Sequence, residues 1–330
     1  MRRRDFIKSV VASATAWPLA ARAQQNGRVR RIGVLIAYAE SDPETKLRVA
    51  AFELGLAKRG WLKGRNIQID YRFAGSNSSQ YSALAEELLA LNPEVVLAHT
   101  TPGVNAVKQA NGGTPVVFVN VSDPIGEGLV ASLARPNANF TGVLHYEPSI
   151  IGKWLSMLKE IAPNLARVAL VANPKTSPYD YFLRSAQAIA PSLSLAIVAS
   201  PIDNSAADIE RVIDAVGQTP NVGMVLSPDG TTILHRDLII ALAAKHHLPA
   251  VYPFDFFVKA GGLMSYATDQ NDMFRLAASY VDRILRGDKP SDLPVQAPTR
   301  FEMSLNLKTA KAMGLTVPAG LIVAADEVIE

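Results

Sequence analysis

Short apolar runs separated by amphipathic stretches repeat along almost the whole chain, and the runs share one kind of ending. Residues Pro115 to Val119 are apolar and rich in β-branched side chains, the pattern of a strand buried on both faces. The run breaks into Asn120, Ser122 and Asp123 before Pro124, residues that favour turns and leave side-chain groups free to bond. The same grammar holds for VLIAYAES at 34–41, VVLAHTTPG at 95–103, VALVANP at 168–174, GMVLSPDG at 223–230 and PAVYPFD at 249–255. Between runs the apolar spacing turns helical: Val49, Phe52 and Leu56 mark a helix over 43–59 that Gly60 stops. Such βα alternation predicts parallel sheets with helices on both faces and right-handed crossovers. Ligands of open parallel sheets sit outside the carboxyl ends of the strands, so the polar endings are expected to gather around one cleft.

In order, the pattern predicts strands at 31–37, 66–74, 94–98 and 115–119, with helices at 43–59, 79–91 and from Thr101 to Gly112. GEGLVASLARP at 126–136 reads as a short helix, and FTGVLHYE at 140–147 leads out of the first half. The second half repeats the alternation: helix 148–161, strand 166–172, helix 178–190, strand 194–200, helix 204–217, strand 222–227, helix 231–247 and strand 250–252. GGLMSYAT, a helix over 271–285, a proline-studded extended stretch, FEMSLNL, a short helix to Met313 and LIVAADEVI complete it.

At 330 residues and 48% hydrophobic content, the chain has enough material for two cores. Its formal charge of +3 is concentrated at the front. Residues 1–23 hold Arg2, Arg3, Arg4, Lys8 and Arg22 but only one acid, Asp5, followed by an apolar stretch and an Ala21-Arg22-Ala23 cleavage pattern. The run Arg3-Arg4-Asp5-Phe6-Ile7-Lys8 resembles the twin-arginine export motif, with Arg2 where that motif prefers Ser or Thr. The apolar part is shorter than the ~20 residues of a membrane span, so cleavage near Ala23 and release into the periplasm are expected. The mature chain would carry 28 basic and 29 acidic residues, which removes the electrostatic case for nucleic acid. With no cysteine there is no lipidated N-terminal Cys, disulfide frame or thiolate metal site.

The quoted segments, with AFELGLAKRGWLKGRNIQIDYRFA, PVVFVNVSDPIGEGLVASLARPNANFTGV, GKWLSMLKEIAPNLARVALVANP, LPAVYPFDFFVKAGGLMSYATD, ASYVDRILRGDKPSDLPVQAPTRFEMSLNLKTAKAMGL and ADEVIE, resemble one family across essentially the whole mature chain. It is the periplasmic substrate-binding proteins of ABC-type uptake systems, in the ABC-sub-bind or tryptophan/tyrosine-type branch. The resemblance implies a type I periplasmic binding protein: α/β, two doubly wound parallel-sheet lobes joined by three hinge crossings, near 142–147, 252–254 and 287–295. One lobe would be 28–143 plus 254–287, the other 144–252 plus 291–330. It also implies a receptor for a small organic solute, amino-acid-like or aromatic, that closes on its ligand, acts as a monomer, needs no cofactor and docks on an ABC permease in the inner membrane.

Residues at the strand ends supply the site. Asp123, with Ser122 and Asn120, is placed to take a ligand ammonium or hydroxyl; otherwise it closes a turn. Thr100 and Thr101 open a helix whose amides favour a carboxylate, or they simply cap it. Tyr38 can wall an apolar ligand or pack in the core. Asn173 and Asp229 are the second lobe's equivalents, both also ordinary turn formers. Tyr252 and Phe254 flank Pro253 at an expected hinge, with Asp255 beside them or capping a helix. Of five histidines, His99 at a strand end is the one expected ligand contact; His145, His235, His246 and His247 are assigned to surface or packing. No HExxH, Walker lysine loop, GxSxG or GxGxxG after the first strand is present, so a two-lobed enzyme has no acid–base pair, nucleophile or cofactor loop to work with. A periplasmic ligand sensor on the same fold is the remaining rival.

Overall fold

Five apolar runs become the first sheet: Arg30–Ile36 (β1), Ile67–Phe73 (β2), Val95–His99 (β3), Val116–Val121 (β4) and Phe140–Leu144 (β5). All pair in parallel, in the order β2-β1-β3-β4-β5. The computed structural model describes residues 29–75, 77–136, 139–146 and 149–330, so the leader read at 1–23 lies outside them. Strands β3, β4 and β5 are buried along their whole length because helices cover both faces. Helix Pro43–Ala57 (α1) and helix Gln270–Leu285 (α10) lie on one side, burying Phe52, Leu56 and Phe274 against Ile32, Val34 and Val119. Helices Tyr81–Ala90 (α2) and Thr100–Ala110 (α3) lie on the other, with Leu88, Val104 and Val107 on Leu35 and Phe118. Asp42 starts α1 by accepting from the amides of Glu44 and Thr45, with Pro43 in the first turn. The helices α1 and α10 approach so closely at Gly55 that a Cβ there would stand 2.8 Å from the Cβ of Ala278.

The second sheet holds seven strands in the order β12-β11-β10-β9-β8-β6-β7. They are Arg167–Ala172 (β6), Ala196–Pro201 (β7), Val222–Leu226 (β8), Ala250–Tyr252 (β9), Met264–Thr268 (β10), Phe301–Asn306 (β11) and Glu327–Ile329 (β12). Every pair is parallel except β10 with β11. Helices Ile150–Ile161 (α4) and Tyr179–Ile189 (α5) cover one face through Trp154 and Phe182. Helices Ala206–Gly217 (α6) and Arg236–Lys245 (α8) cover the other through Ile209, Ile213 and Ile239. Short helices Gly230–Leu234 (α7), Asp255–Lys259 (α9), Leu307–Ala312 (α11) and Ala319–Ala324 (α12) fill the connections.

The chain passes between the lobes three times, and two crossings lie later than expected. The first crossing follows β5, which ends at Leu144, and the second lobe begins with α4 at Ile150. Residues 254–268, expected in the first lobe, belong to the second: β10 pairs with β9 and β11, and the chain returns at 268–270 to form α10 on the first sheet. Residues 291–296 stay with the first lobe, where Gln296 accepts from the Leu144 amide at 2.8 Å and donates to the Gly142 carbonyl at 3.0 Å. The third crossing is therefore 297–300. A strand buried on both faces reads alike in either sheet, so periodicity could not assign β10; its antiparallel partner β11 does.

Two expected helices also differ. Residues 126–136 form turns instead: Gly128 sits at φ +62 and the Pro124 carbonyl takes the amides of Leu129 and Val130. The helix expected over 231–247 is interrupted at His235, whose backbone leaves the helical region, and Arg236 then starts α8 facing Asp42 of the other lobe at 3.5 Å.

Candidate functional site

The carboxyl ends of the two sheets meet, and six of the residues singled out from the sequence line one small cavity between them: Tyr38, Thr100, Thr101, Asn120, Ser122 and Asp229. The cavity measures about 20 Å³, room for roughly one water molecule. A wider outer cleft of about 440 Å³ adjoins it, with Asp123 and Glu127 of the first lobe across from Lys175 and Arg184 of the second.

Two strand ends carry backbone strain at this point. Thr100 after β3 has φ 67 and Asn120 in β4 has φ 62. The left-handed region is uncommon for any residue but glycine and an outlier for a β-branched one, at about 1–3 kcal/mol each. At Asn120 the surroundings fix the conformation: its Nδ2 donates to Gln270 Oε1 at 2.6 Å and lies 3.1 Å from His99 Nε2. Gln270 in turn donates to Thr268 Oγ1 at 2.8 Å and lies 3.4 Å from His145 Nε2. A polar chain thus runs from His99 through Asn120 and Gln270 to His145, across the crossing at 268–270.

Both histidines are neutral. His99 is fully buried, held well below its ordinary pKa by burial first, then by Arg48 and His145. His145 is lowered to about 3 by burial and by Arg48. It lines the cavity and stacks on Tyr146 at 4.2 Å and Phe254 at 5.6 Å, so it is a wall of the site as well as a packed side chain. Asp229 is raised to about 6 by burial, a shift that its donors oppose. Those donors are Thr176 Oγ1 and the amides of Asn173, Thr231 and Thr232, the amides at 2.9, 3.0 and 3.3 Å, and through the last two Asp229 caps α7.

The other residues expected at the site stand around this centre. His99 packs edge-on beneath Tyr38 at 5.0 Å. Asn173 sits behind the wall, donating to Thr231 Oγ1 at 3.0 Å. Asp123 is half-buried in the outer cleft and accepts from the Gly126 amide at 2.8 Å. Tyr252 is packed in the core against Phe257 at 5.2 Å. Phe254 is buried between His145 and Phe256. Asp255 begins α9 and pairs with Lys259 at 2.6 Å, away from the cavity.

Arg48 is a buried residue of α1 that the apolar spacing of the helix does not mark. It is 2% exposed, its guanidinium 5.2 Å from the ring centre of Tyr38 and 5.7 Å from that of Phe254. Among the described residues neither Nε nor Nη2 has a hydrogen-bond partner. Its position was readable: Thr45, Arg48, Ala51, Phe52, Gly55 and Leu56 are the buried stripe of α1, a stripe that includes a cation, whereas Val49, used for the apolar count, is only half-buried.

Known proteins match this chain over nearly its full described length. Residues 33–329 fit the model of a family described as ABC transporter substrate binding protein. A tyrosine-binding protein of Clostridioides difficile (strain R20291) is 22% identical over 289 residues, 87% of this chain and 81% of that protein. A conserved domain protein from Vibrio cholerae superposes with a TM-score of 0.85 at 24% identity, covering 91% of this chain and 100% of that one. The ABC domain in complex with L-Trp from Streptococcus pneumonia gives 0.84 at 23% identity, covering 91% and 99%.

Proposed function

Because this chain belongs to the ABC transporter substrate-binding protein family, we propose that it is exported to the periplasm, captures a small organic solute between its lobes by closing about the three crossings, and delivers it as a monomer to a membrane permease. The solute is amino-acid-like or aromatic. The observation that carries this reading is the meeting of polar strand ends from both sheets around one cavity: Tyr38, Thr101 and Asn120 from the first, Thr176 and Asp229 from the second. A solute held there bonds to both lobes only when they are together, so its binding energy favours the closed population. At about 20 Å³ the cavity is far below the ~300 Å³ or more of an organic-ligand pocket. The lobes therefore part to admit the solute, and the adjoining outer cleft is the way in.

The test is a thermal-shift screen of the mature protein against amino acids, aromatic acids, nucleosides and polyols. Binding to the folded state alone raises the melting temperature, by an amount set by RT ln(1 + [L]/Kd). A rise with one chemical class supports a receptor. No rise with any solute at millimolar concentration contradicts it.

A further inference from the structure

We propose that the solute is an organic acid taken as a net anion, its carboxylate held by Arg48 and its flat body walled by Tyr38, His145 and Phe254. This rests on the receptor reading above and adds the ligand's charge to it. A buried guanidinium demands a counter-charge or full hydrogen bonding. Among the described residues Arg48 has neither in contact with it: two ring faces attract it, but its Nε and Nη2 find no acceptor there. The acids around it are engaged elsewhere. Asp42 caps α1 and pairs with Arg236, Asp255 pairs with Lys259, and Asp229 accepts four donors. Glu44, one turn back on α1, is half-buried and feels Arg48 through space without contacting its guanidinium.

The same inventory decides between an acid and an amino acid. An ammonium group brought beside the buried Arg48 cation would need a negatively charged acceptor with free lone pairs to offset the repulsion. Among the described residues Asp229 is the one carboxylate lining the cavity, and each of its oxygens already accepts twice. Left buried without a partner among the described residues are Arg48 Nε and Nη2, behind Tyr38, and on the cavity lining the hydroxyls of Thr100 and Thr101 and the side-chain oxygen of Asn120. The cation and the hydroxyls suit a carboxylate, and Asn120 Oδ1, an uncharged acceptor, suits a neutral donor on the solute. Arg48 and Tyr38 come from the first lobe and Phe254 from the second, so opening lifts Phe254 from the guanidinium. Closure then sets an aromatic or other flat carboxylate between these groups.

Isothermal titration of the mature protein with matched probes tests this: 3-(4-hydroxyphenyl)propionate, L-tyrosine and tyramine, then 3-indolepropionate, L-tryptophan and tryptamine. The acids are expected to bind about tenfold or more tightly than the matching amino acids, and the amines not at all. Tighter binding of either amino acid, or any binding of an amine, overturns the proposal. Arg48→Met is expected to weaken the acids about 100-fold and Arg48→Lys less, while the ligand-free melting temperature of Arg48→Met stays level or rises because an uncompensated buried charge is gone. Unchanged acid affinity in Arg48→Met, or a lower ligand-free melting temperature with acid affinity retained, makes Arg48 structural and overturns the proposal. If a polyol or nucleoside binds and no acid does, the receptor reading stands and this inference falls; if no solute of any class binds, both fall.

Discussion

Replacing His145 by Phe should remove a large part of the protein's sensitivity to acid. The imidazole is buried between Tyr146 and Phe254, and its pKa lies at about 3 against about 6.5 in an unfolded chain. Below pH 6.5 the unfolded state therefore binds a proton that the folded state refuses, and stability is lost as pH falls. At about 1.4 kcal/mol per unit, two units of acidification below 6.5 cost ~2.7 kcal/mol through this residue. His99 acts in the same direction. Asp229 opposes them: its folded pKa of about 6 exceeds the unfolded ~3.9, so it adds stability as pH falls through that window, ~2 kcal/mol by pH 4.5. The net slope mixes all three, and the difference between wild type and His145→Phe isolates one. Phe keeps the stacking and gives up only a long contact to Gln270 at 3.4 Å. Urea unfolding at pH 7.0 and 4.5 should show the variant gaining ~2.5 kcal/mol relative to wild type on acidification. A difference that stays constant across that range would show that His145 is not held neutral by burial.

Three further outcomes follow from the packing. Asp42→Ala removes both the cap of α1 and the ion pair to Arg236 across the lobes; denaturant unfolding should register a loss of about 1 kcal/mol, with the ligand-free protein more open in scattering. Gly55→Val drives a side chain into Ala278, 2.8 Å from the added Cβ, and should cost about 1–3 kcal/mol in calorimetry by forcing α1 from α10. Asp123→Ala removes a carboxylate of the outer cleft that already accepts from Gly126, so by titration it should weaken solute binding far less than Arg48→Met does.

Most of the architecture was legible because its signal is local. Apolar or alternating runs marked the strands from β1 to β9 except β5, whose segment reads only as the way out of the first half, and 3.6-residue spacing marked the long helices. The convergence of Tyr38, Thr100, Thr101, Asn120, Ser122 and Asp229 on one cavity followed from where strands end in a parallel sheet. What sequence could not resolve depends on partners distant along the chain. The sheet that claims β10 is decided by β11, whose paired residues lie 33 to 41 positions on. That Asn173, Thr176, Thr231 and Thr232 take the oxygens of Asp229 could not be read locally, nor that His145, read as surface or packing, stacks on Phe254 and Tyr146 at the cavity wall. Arg48 was missed for the opposite reason: the stripe of α1 was read for apolar residues, and the informative residue in it is the charged one.

Small-angle scattering of the mature protein, alone and saturated with the tightest solute from the screen, tests the two-lobed clamp most directly. A smaller radius of gyration is expected with solute, because the lobes turn about the crossing after β5 and those at 268–270 and 297–300 to close on it. An unchanged radius with a solute proven to bind tightly would contradict it.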